Sequence, residues 1–259
     1  LVFELMCTVR LRFYEELNDF LRPQFRKDKN IERVLNHRTT VKDVIESCGV
    51  PHTEVDLILV NGNSKRFDYH IHNADSISVY PVFESLDISH VTRLQERPLR
   101  DLKFAADVQL GKLVKKMRIL GLSVTYRNDI RDNELLEVML NENRVLLTRD
   151  RKLLMHKIVQ RGHLVRSDSP PVQIVEVVKR FDLAGQLVPF ARCTKCNGEL
   201  QAVAKAEVLD LLEPKTKLYY DNFVQCGNCK KIYWKGTHYD KLTAWVDKIR
   251  EQPGSPNPC

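Results

Sequence analysis

The chain has 259 residues, a net charge of +7, 43 % hydrophobic and 29 % charged residues, a composition that can build packed cores and excludes a globally disordered chain. At about 100–200 residues per domain, the length calls for two or three modest domains. No stretch reaches the roughly 18 apolar residues of a membrane span, and the apolar run from Leu1 to Arg12 is broken by Glu4 and Arg10, so neither a signal peptide nor a membrane anchor is expected.

The first 84 residues predict a small α+β sheet. Val9-Arg10-Leu11-Arg12-Phe13 alternates with period two, Leu57 to Val60 runs apolar into the turn pair Asn61-Gly62, and Ile77-Ser78-Val79-Tyr80 ends at Pro81, three strand signals. Between them Thr40 caps a helix whose buried stripe is Val41, Val44, Ile45 and Cys48 and which Gly49 ends, following the usual start and stop chemistry. This segment carries 11 Lys/Arg against 13 Asp/Glu, residues 101–182 carry 16 against 11, and residues 190–250 carry 11 against 7. A polyanion would therefore meet the last two-thirds of the chain.

Gly49-Val50-Pro51-His52-Thr53-Glu54-Val55, the Val60-Asn61-Gly62 turn and the stretch from Asp75 to Phe83 resemble the ubiquitin-like, sulfur-carrier-type domain found ahead of Mut7-C ribonuclease domains. The resemblance implies a β-grasp fold over residues 1–84, and a protein partner is a candidate ligand for that domain. Sulfur carriers end in an activated Gly-Gly tail, whereas Val82-Phe83-Glu84 runs on into Ser85, so the fold is implied without the carrier chemistry.

Residues 85–100 hold Pro98 and no periodicity and are expected to be a linker. From 101 to 182 the pattern becomes strand, helix, strand: Leu102–Ala106, then a helix striped by Leu110, Leu113, Val114, Met117 and Leu120 and ended by Gly121, then Leu122–Tyr126. A helix with Leu135, Leu136, Met139 and Leu140, a strand over 145–148, a helix with Leu153, Leu154 and Ile158, and a strand over 163–165 follow. Ser169-Pro170-Pro171 then starts a last helix. Such alternation predicts a parallel βαβ sheet with its sites at the carboxyl ends of the strands.

Acids gather at those ends: Asp107 after the first strand, Asp132 at the start of the second helix, Asp150 after the third strand and Asp168 after the fourth. Carboxylates converging from several strand ends suit hard, oxygen-liganded cations such as Mg²⁺ or Mn²⁺, and Lys112, Arg149 and Arg151 beside them could hold phosphates. Asp107, Asp132 and Asp150 also stand where helices begin, so N-capping explains any one of them alone. Asp168 and Asp129 lie in polar turns that favour Asp for local hydrogen bonds, and Glu134 sits on the same helix as Asp132. Asp107-Val108-Gln109-Leu110-Gly111-Lys112-Leu113, Asp132-Asn133-Glu134-Leu135-Leu136 and Val145 through the Thr148-Arg149-Asp150 triplet to Leu153 resemble the Mut7-C domain, a branch of the PIN-like nucleases. The resemblance implies a metal-dependent ribonuclease with acids at Asp107, Asp132 and Asp150, although Ala105-Ala106 and Val108-Gln109 depart from the neighbours expected around the first acid.

Cys193-Thr194-Lys195-Cys196 and Cys226-Gly227-Asn228-Cys229, with 29 residues between the pairs, have the spacing of two knuckles around one zinc ion in a closed, structural shell. Two disulfides or four buried thiols are the alternatives; Cys7, Cys48 and Cys259 show no pairing pattern, as in a reducing compartment. Arg192-Cys193, Cys196-Asn197-Gly198 and Ile232 to His238 also resemble the ribbon that ends Mut7-C proteins. Lys230, Lys231, Tyr233, Trp234, Lys235 and His238 mix cations with flat rings, which can stack unpaired bases and hold phosphates. Tyr233 and Trp234 fit packing beneath the metal equally well.

These readings predict a cytoplasmic α/β protein with no membrane association: a β-grasp domain over 1–84, a PIN-like nuclease domain over 101–182 and a four-cysteine zinc ribbon over 188–250. The expected activity is metal-dependent hydrolysis of RNA. A non-catalytic RNA-binding adaptor on the same fold is the alternative, and a sulfur-transfer partner is disfavoured by the missing Gly-Gly tail.

Overall fold

The computed structural model describes residues 6–81, 94 and 102–251; apart from Leu94, the linker expected over 85–100 lies outside them. The chain forms two units, residues 1–100 with 150–164, and residues 101–149 with 165–259.

In the first unit, β1 (Cys7–Phe13), β2 (Ile31–Leu35), α1 (Val41–Ser47), β3 (Val55–Val60), β4 (Asn63–Ser64) and β5 (Ser76–Pro81) build a sheet of order β2-β1-β5-β3-β4. β1 runs parallel to β5 and antiparallel to β2, and β3 is antiparallel to both β5 and β4. This is a β-grasp sheet. The period-two pattern of β1 buries Val9, Leu11 and Phe13 and leaves Arg10 and Arg12 exposed, as a strand with one covered face requires. The start of α1 is held by a capping box: Thr40 Oγ1 accepts from the Asp43 amide at 3.3 Å and the Asp43 carboxylate accepts from the Thr40 amide at 3.2 Å. Gly49, at φ +106°, ends the turn after it. Asn61 and Gly62 take positive φ values of 50° and 79°, the twist that a two-residue hairpin between β3 and β4 needs. Strand β2 and the 3₁₀ turns Glu15–Phe20 and Pro23–Phe25 were not anticipated from the sequence.

The second unit begins with β6 (Lys103–Ala106), α2 (Gly111–Ile119), β7 (Ser123–Thr125), α3 (Asp132–Asn141) and β8 (Val145–Thr148). β6 lies between β7 and β8 and runs parallel to both. Phe104, Ala105, Ala106, Leu146, Leu147 and Thr148 are all fully buried, the signature of parallel strands covered on both faces. The chain continues through α4 (Arg151–Leu154) and β9 (Gly162–Leu164), which pack in the first unit, to α5 (Pro170–Arg180), opened by Ser169 and two prolines. The sequence predicts that the helix after Asp150 reaches Ile158. It stops at Leu154, because the His156 amide bonds to the Leu153 carbonyl and the Val159 amide to the His156 carbonyl, three-residue turns in place of the helical spacing.

Gly121 ends α2 at φ +87°, and a Cβ there would lie 2.0 Å from the Val188 carbonyl oxygen. Gly121→Ala is therefore expected to destabilise the second unit by about 3 kcal/mol, combining left-handed strain with a backbone clash. Thermal unfolding would show it as a drop of several degrees.

The C-terminal part holds β10 (Leu200–Val203), α6 (Lys205–Val208), α7 (Pro214–Tyr219), β11 (Phe223–Cys226), β12 (Ile232–Trp234) and α8 (Tyr239–Arg250). Strands β10, β11 and β12 form an antiparallel sheet in that order. The short helices α6 and α7 fill the interval between the two cysteine pairs around a small core of Val208, Leu212 and Phe223. Among the described residues no helix is long and apolar enough to cross a membrane.

Candidate functional site

The two turns that flank the β10-β11-β12 sheet bring Cys193, Cys196, Cys226 and Cys229 together, with every Sγ within 4.8 Å of the others. Two pairs run between the turns, Cys193 to Cys229 at 3.5 Å and Cys196 to Cys226 at 3.4 Å. A disulfide needs about 2.05 Å, whereas four thiolates in a tetrahedron with Zn–S bonds of about 2.3 Å stand about 3.8 Å apart. The donor set and its spacing fit a single metal ion. Gly198 makes room for it, since a Cβ there would lie 2.8 Å from Cys226 Sγ.

Hydrogen bonds around the sulfurs favour the thiolate form of Cys193. Burial pushes the Cys193 thiol up, but bonds from the Tyr233 hydroxyl and the Cys196 and Lys195 amides outweigh it and bring Cys193 down to about 6. Cys196, with burial as the dominant influence, is pushed up to about 12. Tyr233 is also pushed up to about 12, first by burial and then by Cys193. With the Thr194 amide donating to it at 3.1 Å, its hydroxyl donates to Cys193 Sγ at 3.1 Å. A cation that takes Cys196 as a ligand must displace its proton.

The first knuckle is seated on β7 by two side chains that sequence reasoning did not single out. Arg118, 3 % exposed, donates to the Val124 carbonyl at 2.8 Å and to the Lys195 and Thr194 carbonyls at 2.9 and 3.2 Å. Asn197 accepts from the Val124 amide at 3.0 Å and donates to Ser123 Oγ at 3.3 Å. The signal for Arg118 was present: it stands four residues after Val114, on the buried stripe of α2, where an unpaired cation would be costly.

At the carboxyl ends of β6 and β8 lies a buried carboxylate. Asp107 is 6 % exposed; its Oδ1 accepts from the Val108 amide at 2.6 Å and its Oδ2 from Thr148 Oγ1 at 2.7 Å. Its own amide donates to the Leu147 carbonyl at 3.0 Å, so backbone and side chain are both fixed. Each oxygen keeps lone pairs beyond these bonds, which suits a ligand for a hard cation. Tyr126 donates to the Val108 carbonyl at 3.0 Å across Gly111, where a Cβ would come within 2.6 Å of the phenol oxygen. Thr148, inside the Thr148-Arg149-Asp150 triplet but not predicted as a functional residue, therefore orients Asp107. Thr148→Val removes the donor to Asp107 Oδ2 and is expected to destabilise the second unit by about 1–3 kcal/mol, read as a drop in melting temperature.

The other predicted residues are placed as follows. Asp132 is exposed in the first turn of α3. Arg127 joins Asp129 at 3.2 Å and Glu134 at 3.3 Å, and its hydrogen bond and charge hold the Asp129 carboxyl below its ordinary range. Arg149 pairs with Asp168, and Lys112 is exposed at the second residue of α2. Asp150 caps α4, its Oδ1 accepting from the Lys152 amide at 2.7 Å. Arg151 donates to the carbonyls of Phe20 and Gly49 and lies over the Phe20 ring.

A family model described as the Mut7-C RNAse domain matches residues 102–246, more than half of the chain. The chain belongs to the Mut7-C RNAse family. A second family model, Mut7-C ubiquitin, matches residues 6–87, over the β-grasp sheet. The comparison with curated proteins gave no match, and neither did that with solved structures. The Mut7-C match covers the parallel strands and the four-cysteine ribbon together, which gives the chain a nuclease-type domain. On the Mut7-C ribbon, Trp234 is 41 % exposed and tilts against Tyr220. Lys230, Lys231 and His238 are exposed, with the Lys231 ammonium 5.2 Å from the centre of the Tyr233 ring.

Proposed function

We propose that the chain is a metal-dependent ribonuclease that hydrolyses RNA phosphodiester bonds. The observation that carries the reading is Asp107, a buried carboxylate gripped by Val108 and Thr148 at the carboxyl ends of β6 and β8, where open α/β sheets place their ligands. Family membership supports it. In this reading Asp107, Asp132 and Asp150 hold Mg²⁺ or Mn²⁺. A divalent ion supplies neutralisation of phosphate charge and a more acidic water. Arg149 exchanges its Asp168 partner for a phosphate oxygen, and Lys112 adds a second positive charge as the phosphorus becomes more anionic. The four cysteines hold one structural zinc ion. On the ribbon, Trp234 and Tyr233 offer faces to unpaired bases and Lys230, Lys231 and His238 offer charge to the backbone. The ubiquitin-like domain is the surface for a protein partner. We place the protein in the cytoplasm, a reading supported by free thiols at Cys7 and Cys48.

Incubation of labelled single-stranded RNA with the chain in Mn²⁺, Mg²⁺ or chelator tests the reading. Shortened RNA with either ion and intact RNA with chelator is the expected result. RNA retarded at low salt, released at high salt and never shortened would instead identify an adaptor.

A further inference from the structure

Residues 150–164 fold with the ubiquitin-like domain, and polar, largely half-buried contacts tie the segment at its start, its middle and its end. At its start, Arg151 donates to the Phe20 and Gly49 carbonyls, with the guanidinium 5.2 Å from the Phe20 ring centre. Further along, the Val159 carbonyl accepts from Nε2 of His52 at 2.6 Å, while the other ring nitrogen of His52 meets the Glu46 carboxylate at 2.6 Å. At its end, the Leu164 amide donates to the buried Glu54 carboxylate at 2.7 Å, and His163 lies 3.3 Å from the same carboxylate. His52, Glu54 and His163 are all buried. Between these ties lies α4, a four-residue helix capped by Asp150. A helix this short cannot hold its own shape, since nucleation alone outweighs the few bonds it makes.

We propose that the ubiquitin-like domain works within its own chain as the holder of the Asp150 segment. Arg151 and His52 are positioning residues that keep the cap and first turn of α4 in one conformation. The proposal rests on the ribonuclease reading, because Asp150 matters to catalysis only there. It gives this domain a task that needs no free terminus and no covalent transfer, and it assigns Arg151 a structural partner in place of a phosphate. An acid held on a loose turn would sample many positions, and a displacement of about 1 Å at a reacting centre can cost about a hundredfold in rate.

The test uses the full chain with His52→Ala, His52→Gln and Arg151→Gln, and reads amide hydrogen exchange at Leu154, Met155 and His156 beside steady-state RNA cleavage. Faster exchange by about tenfold, a fall in kcat by about tenfold to a hundredfold and a KM within about twofold are expected for His52→Ala and Arg151→Gln. His52→Gln keeps a donor for the Val159 carbonyl and should recover part of both losses. Because truncating a buried histidine can unfold the domain, exchange at the β1 and β5 amides serves as the internal standard, and Arg151→Gln is the milder second variant. Unchanged exchange in α4 overturns the proposal, and so does faster exchange with unchanged kcat. If the unsubstituted chain cuts no RNA, the ribonuclease reading fails and the catalytic part of the proposal falls with it. The exchange data alone then decide whether the domain holds the segment.

Discussion

Asp107→Asn is expected to lower RNA cleavage by about a thousandfold while leaving the melting temperature and the metal content of the ribbon almost unchanged. The substitution is nearly isosteric. Asn keeps an oxygen to accept from the Val108 amide, and the Thr148 hydroxyl can rotate to accept from the new amide group, since a hydroxyl is both donor and acceptor. What disappears is one negative charge in a place shielded from water. Stabilisation by a catalytic metal amounts to several kcal/mol, and about 4 kcal/mol corresponds to a thousandfold in rate. Asp150→Asn should behave alike, because Asn caps helices about as well as Asp and the cap on Lys152 is preserved. Single-turnover cleavage in Mn²⁺, with thermal unfolding and zinc analysis on the same samples, provides the measurement. Cleavage within about threefold of the unsubstituted chain for both variants would remove these acids from the mechanism.

Cys226→Ser is expected to have the opposite profile, a collapse of structure with chemistry lost only as a result. Cys226 is fully buried at the end of β11, and its sulfur is one of four that meet. A structural zinc site is worth about 10–16 kcal/mol at neutral pH, as much as the whole stability of a typical domain. Losing a ligand should therefore take the bound metal from one per chain to none and open residues 190–235 to protease. A chelator should produce the same cleavage pattern in the unsubstituted chain, and added zinc should reverse it. One equivalent of zinc retained by Cys226→Ser, with unchanged protease resistance, would show that the four sulfurs do not form the centre. The acids upstream give a control, since Asp107→Asn must leave zinc binding intact.

The elements that were legible in the sequence are those whose own residues decide them. Thr40, Asp43 and Gly49 punctuate α1 through local hydrogen bonds and one positive φ, and the apolar runs of β6 and β8 could only be buried strands. The cysteine spacing pointed to the four sulfurs that the fold brings together. Strand β2 was not legible because Ile31-Glu32-Arg33-Val34-Leu35 breaks the alternation, with Val34 on the exposed side. It is a strand because its backbone completes the ladder with β1. Helices α6 and α7 span four and six residues, too few to show a period. Asp107 at the end of β6 was visible as a strand-end aspartate, but the bond from Thr148 to Asp107 joins residues 41 positions apart. No local pattern reports such a partnership. Arg118 was hidden for the same reason, its carbonyl partners being 76 and 77 residues away.

That buried guanidinium also bears on how the molecule can be divided. A chain cut after residue 182, as the boundary between nuclease and ribbon would invite, keeps Arg118 and Val124 but loses the Thr194 and Lys195 carbonyls. The fragment would carry a permanent positive charge facing an emptied surface, together with the bared Val124 amide that Asn197 had satisfied. Trimming would thus strip the bonds that seat the first knuckle on β7, and the shortest nuclease-type fragment that keeps Arg118 and Val124 satisfied is one that carries that knuckle with it.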